Sequence, residues 1–272
     1  MDRRRLGRLD LTVSPIGFGA FKIGRNQKIK YADGYDLPDE AAVRTLVDGV
    51  VELGINLFDT APAYGLSEER LGRALAARRE DVVISTKAGE TFENGVSQYD
   101  FTSSGLRRSV QRSLRRLQTD CVDILLIHSD GNDEAILTET DAVETLIDLR
   151  DAGLARAIGL SATSADGAAL ALAWADVLMV EYHPEATGIA PVLADAATAG
   201  VGVIVKKALA SGRLDPRLAI PFALAPASVA SVVIGGLDLA HVAANVRLAE
   251  CAEGRDVPPR AEATPRPRRE PA

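Results

Sequence analysis

Cysteine is nearly absent from this 272-residue chain: Cys121 and Cys251 are the only two, far apart and in unrelated segments. A disulfide framework or a zinc site is not expected from them, and a reducing cytoplasm fits. Long apolar runs are missing as well. Nothing approaches the roughly 18 consecutive apolar residues of a membrane span. No apolar core follows the charged start MDRRRLGRLDLTVSP, so no signal peptide is expected. Excess positive charge is lacking too: the formal charge is −7, which argues against a nucleic-acid partner. Lysine is scarce, with only Lys22, Lys28, Lys30, Lys87, Lys206 and Lys207 against 25 arginines. No G-x-G-x-x-G occurs, and GFGAFKIG does not fit it, so an open dinucleotide-binding sheet lacks its usual signature.

What is present is alternation. The apolar runs VSPIGFG, INLFD, DVVISTK, CVDILLIH, ARAIGLS, DVLMVEYH, GVGVIVKK and ASVVIGG have the length of buried parallel strands. Helical patterns lie between them, among them DEAAVRTLVDGVVELG, SEERLGRALAARR and TETDAVETLIDLRDAG. Ser67, with Glu68 and Glu69 behind it, reads as an N-cap. Gly54, Gly153 and Gly200 read as glycines just past helix ends. One helix is weak: between Lys207 and Ala230 the chain offers only PFALAPASV, with Pro221 and Pro226 as breakers. Eight such units in about 250 residues predict a single-domain α/β fold, a (β/α)8 TIM barrel over residues 1–254. The Pro- and Arg-rich stretch 255–272 is expected to be a disordered tail.

Six of the eight runs close on a residue with chemistry: Asp59, Lys87, His128, Ser161, His183 and Lys206. In a barrel these strand ends converge on one face. Lys87 follows an apolar run and needs a counter-charge, for which Asp59 is the nearest candidate. The pair could simply close the barrel top, and His128 could be an ordinary hydrogen-bonded core histidine. Tyr64, five residues after Asp59, changes the balance. An ammonium beside a phenol lowers its pKa, and a carboxylate keeps that ammonium charged and aimed. Together the four side chains could protonate an oxyanion as it forms, as carbonyl reduction requires.

The segments GINLFDTAPAYGLSEERLG, ISTKAG, LLIHSDG and VEYHP resemble the aldo-keto reductases, in the same order and over about residues 6–249. The resemblance implies hydride transfer between a nicotinamide cofactor and a small carbonyl or alcohol substrate, with no metal. It places the catalytic tetrad on Asp59, Tyr64, Lys87 and His128, with Tyr64 the general acid. It places the cofactor against Gly19, Ala20 and Phe21, then Ser161 and Met179, then Lys206, Lys207, Leu209, Ser211 and Gly212, and finally Gly235, Gly236, His241 and Asn245. Several of these positions depart from the family pattern. Ala162 and Met179 stand where amide side chains are common, and Lys206 where an aromatic often stacks on the nicotinamide. Its stem could cover a ring, while its charge would oppose an oxidised one. NADP(H) is the family default. Leu237 and His241 replace the basic residues that would hold a 2′-phosphate, which leaves room for NAD(H). The loop residues Phe21, Tyr31, Phe92 and Trp174 are candidates for shaping the pocket. Two other readings remain open: a cofactor-binding regulatory barrel with little turnover, and a Schiff-base aldolase using Lys87.

Overall fold

Unbroken β-branched and aliphatic runs form strands here because both of their faces are covered. The computed structural model describes residues 1–29 and 34–252. The tail expected from Arg255, and Tyr31, lie outside the described residues. The barrel strands are β1 (Ile16–Gly19), β2 (Leu57–Asp59), β3 (Val83–Ala88) and β4 (Val122–His128), then β5 (Ala155–Ser161), β6 (Val177–Glu181), β7 (Gly202–Lys206) and β8 (Val229–Ile234). All neighbours are parallel, and the sheet closes on itself as a (β/α)8 barrel.

Alternate residues divide between two apolar layers. Phe58, Ile84, Leu125 and Ile158 face the helices. Leu57, Val83, Ile124, Met179 and Ile204 fill the barrel. At Gly159 no side chain fits, because a Cβ would stand 1.7 Å from the carbonyl oxygen of Val177 on β6. The foot of the barrel is closed by a hairpin pairing Arg4–Arg5 with Thr12–Val13. It sends Leu6, Leu11 and Val13 into the interior layer, and Arg4 donates to the carbonyls of Leu224 and Val229.

The helices are α1 (Glu40–Glu52), α2 (Ser67–Leu75), α3 (Ser103–Leu117), α4 (Asp133–Glu139), α5 (Ala142–Asp151), α6 (Ala165–Ala171), α7 (Ala190–Ala199), α8 (Pro216–Leu224) and α9 (Leu239–Ala252). Among the described residues none is long and apolar enough to cross a membrane. Asp39 and Thr102 cap α1 and α3 by accepting from the amides of Ala42 and Gly105. Gly54, Gly153 and Gly200 adopt φ of +86°, +78° and +69°, as helix-ending glycines do.

Three expectations need correction. Ser67 is not the cap of α2; it is the first helical residue, and its hydroxyl is spent elsewhere. The fourth crossover carries two helices, α4 and α5, where the sequence suggested one. The weak helix before β8 begins upstream, at Pro216, with Asp215 as its cap. Pro216 loses nothing at that first position, where an N–H has no helical partner anyway. Pro221 lies inside the helix and forgoes one hydrogen bond.

Candidate active site

Register brings the polar residues together. Along the C-terminal rim Gly19 pairs with Asp59, Asp59 with Ser85, His128 with Ser161, Ser161 with Met179, and Glu181 with Lys206. His183 lies two residues beyond β6, not at its end. It is 3% exposed, its Nδ1 accepts from the amide of Glu185, and its Nε2 lies 3.2 Å from Glu181. It staples its own loop.

Lys87 is 1% exposed. Its ammonium donates to Asp59 Oδ1 at 2.8 Å, Asp59 Oδ2 at 2.9 Å and the carbonyl of Thr60 at 2.8 Å. Ser85 also donates to Asp59. Three acceptor oxygens, two from Asp59 and one from Thr60, hold the ammonium in place. Burial alone would lower the lysine pKa, but Asp59 and Tyr64 outweigh it and hold it above the ordinary value.

Tyr64 ends a short 3-10 turn, Pro62–Tyr64, after β2. The loop after β1 fixes this turn. Gly65 has φ +62°, and a Cβ there would stand 2.3 Å from the Gly24 carbonyl oxygen. Ser67 donates to the carbonyl of Ala20 and accepts from Thr60, both at 2.8 Å. Phe21 meets the Tyr64 ring edge-on at 5.1 Å, His128 lies 6.1 Å away, and Lys87 Nζ is 4.9 Å from the ring centre. Although part of the ring reaches solvent, burial raises the phenol pKa. Lys87 pulls it down, while Asp59 and Glu90 push it up. The lysine acts in the direction the sequence suggested, but the net shift is upward: desolvation wins, and the phenol keeps its proton.

Glu90 escaped the sequence reading. It begins a hairpin of Glu90–Glu93 and Val96–Tyr99 beyond β3. Its Oε2 lies 2.9 Å from His128 Nδ1, at ion-pair distance but off the line of an N–H donor. Burial would raise the carboxyl, yet His128, Ser97 and Arg25 bring it down to about 2. Burial lowers His128, with Lys87 and Lys206 adding to it against Glu90. Burial thus favours the neutral imidazole of His128, while Glu90 works against it. Arg25 leans on Phe92, its Cζ 3.3 Å from the ring centre, and donates to the Ala63 carbonyl.

Lys206 ends β7, and its Nζ donates to Ser161 Oγ at 2.8 Å. Burial, then Lys207 and Lys87, bring it down to about 7. Lys207 is paired with Glu181 at 2.6 Å. A cavity of about 300 Å³ opens here, bounded by Thr163, Ser164, Glu181, Lys206 and Lys207. A larger hollow of about 600 Å³, between α1 and α2, touches none of the rim residues.

The remaining candidates fall on two sides. Gly19 and Gly235 approach closely, since a Cβ on Gly235 would stand 2.8 Å from the Gly19 carbonyl oxygen. Ser211 and Gly212 have φ of +61° and +92°, and a Cβ on Gly212 would meet nothing within 4 Å. Leu209 and Leu237 pack against the outer core. Met179 is 1% exposed within the interior layer and offers no polar contact. Gly236 precedes α9, which carries His241 and Asn245; the His241 side chain is 83% exposed, 3.7 Å from Asp238. Asp238 accepts from the amide of Ala240, so a carboxylate already meets the start of α9. Trp174 lies between α6 and β6, against the outer core and away from the rim. Hydroxyl, ammonium and open glycine backbone on one rim suit a nicotinamide dinucleotide.

A rim that holds one lysine charged, one phenol protonated and one imidazole neutral is equipped to hand a proton to an oxygen. The profile of the Aldo/keto reductase family matches residues 15–221, and the chain belongs to that family. It is therefore an oxidoreductase of a family whose general activity is NAD(P)H-dependent carbonyl reduction. A Pseudomonas aeruginosa protein assigned to the aldo-keto reductases superposes with a TM-score of 0.86 at 42% identity, covering 92% of this chain and 96% of that one. L-galactose dehydrogenase of Arabidopsis thaliana is 34% identical over 79% of this chain and 67% of its own length. The match to the Bacillus subtilis oxidoreductase YqkF, at 32% identity, covers 59% of this chain and 49% of YqkF, about half of that relative.

Proposed function

We propose that the chain reduces an aldehyde or ketone to an alcohol, with Tyr64 as the general acid. The observation that carries the reading is the buried Lys87, clamped by Asp59 beside the Tyr64 ring. When bound, NAD(P)H supplies the hydride to the carbonyl carbon. The phenol hands its proton to the oxygen as charge develops there, and the raised pKa keeps that proton in place until then. Lys87 stabilises the phenolate left behind. Glu90 beside Nδ1 favours the proton on that nitrogen of His128, which leaves Nε2 an acceptor for the hydroxyl of the alcohol once the oxygen has been protonated. A lysine held charged by Asp59 and Tyr64 is a poor amine nucleophile, which counts against the aldolase reading.

Ser161, Lys206, Ser211, Gly212, Gly235, Gly236 and Asn245 would hold the cofactor. NADP(H) remains the family default. The exposed His241 and the carboxylate of Asp238 at the start of α9 favour NAD(H) instead. One relative, at 32% identity over 61% of this chain and 53% of its own length, is an NADH-specific methylglyoxal reductase of Escherichia coli. Separate titrations with the two reduced cofactors decide between them.

Tyr64→Phe is the test. It should lower kcat for a generic aldehyde by about a hundredfold to ten-thousandfold, with cofactor Kd unchanged. Wild-type turnover in that variant would remove Tyr64 from the role. Cofactor binding by the unmodified chain without turnover would support the regulatory barrel.

A further inference from the structure

Lys206 differs from the other rim cations. Lys87 has Asp59, and Lys207 has Glu181. Among the described residues no carboxylate lies within ion-pair distance of Lys206, whose hydrogen-bond partner is the neutral Ser161 hydroxyl. Its surroundings reinforce this. On its own strand Lys207 opposes its charge, as does Lys87 from β3. Asp133 from α4 and Asp59 from β2 offset it only in part. Asp133 is itself occupied by Thr163 and Ser164. Glu181, its register partner on β6, is committed to Lys207 and His183. His128 on β4 feels the charge of Lys206, and β8 contributes no titratable group.

We propose that Lys206 sets the redox preference of the site, its uncompensated ammonium admitting the neutral reduced nicotinamide and repelling the cationic oxidised ring. This rests on the reductase reading. A hydride donor must approach the carbonyl carbon that Tyr64 and His128 serve. Any ring there lies within the field that already reaches His128. The charge is also adjustable, because the amine loses its proton near neutral pH. Below that range Lys206 is charged and the oxidised form is disfavoured; above it the two forms bind more equally. Phosphate contacts are common to both forms and cancel in the ratio.

The test is a set of Kd values for NADPH, NADP+, NADH and NAD+, from isothermal titration calorimetry between pH 6 and 9. Two like charges within about 12 Å, at an effective dielectric near 20, already cost about tenfold in binding. The ratio Kd(oxidised)/Kd(reduced) should therefore fall about tenfold from pH 6 to 9 in the wild type. In Lys206→Met it should be low and flat. In Lys206→Arg, whose charge does not titrate in this range, it should be high and flat. A wild-type ratio that ignores pH overturns the inference while leaving the reductase reading intact, as does an Arg variant that behaves like the Met variant. Failure of all four dinucleotides to bind overturns both.

Discussion

Removing the carboxylate of Asp59 while leaving Lys87 in place isolates what the buried pair does. In Asp59→Asn an ammonium that is 1% exposed loses its only ionic partner among the described residues. Breaking one side of a buried pair costs about 3–5 kcal/mol. For a chain of this size each kcal/mol moves Tm by about 2–4 °C, so Tm should fall by about 6–20 °C. Lys87→Met leaves the opposite charge stranded and should cost a similar amount. The double variant strands neither, and should recover much of the lost stability. Activity should behave differently. Both single variants and the double should reduce a generic aldehyde at least a hundredfold more slowly, because the phenolate is no longer stabilised. Circular dichroism melts and dihydropyridine absorbance measure the two properties on the same samples. A double variant as unstable as the singles would refute the stranded-charge argument. A double variant that regains turnover would show that the pair merely closes the barrel top.

Glu90→Gln tests the partner of His128. A carboxylate brought down to about 2 contributes stability above its ordinary pKa, which is lost as pH falls from about 4.5 towards 2. The variant should therefore show a shallower loss of stability across that window in an acid titration followed by circular dichroism. Gly65→Ala should lower both Tm and kcat, because a Cβ 2.3 Å from the Gly24 carbonyl oxygen pushes the Tyr64 turn off its support. Normal kinetics in that variant would mean the turn is not held there.

Much of the barrel was legible because its strands are apolar on both faces and its helices carry ordinary caps and glycine ends. Asp59, Lys87 and His128 were legible for the same reason: a charge closing an apolar run is conspicuous. Glu90 was not, because it belongs to a hairpin whose strands do not alternate. The signal was present in Asn94-Gly95, where both residues take positive φ, +52° and +80°, as a tight hairpin turn requires. Ser67 looked like a cap from its neighbours alone; its tie to Ala20 is a contact that only the folded chain creates. The direction of the Tyr64 shift was out of reach in the same way. Sequence identifies the charges near a phenol but not the water removed from around it.

The hairpin that stoppers the foot of the barrel has a bearing on traffic. Because side chains pack the barrel down to that hairpin, nothing passes through it, and traffic is confined to the rim. Whatever binds there must back out along the way it came, and a departing molecule competes for that passage with the next arrival.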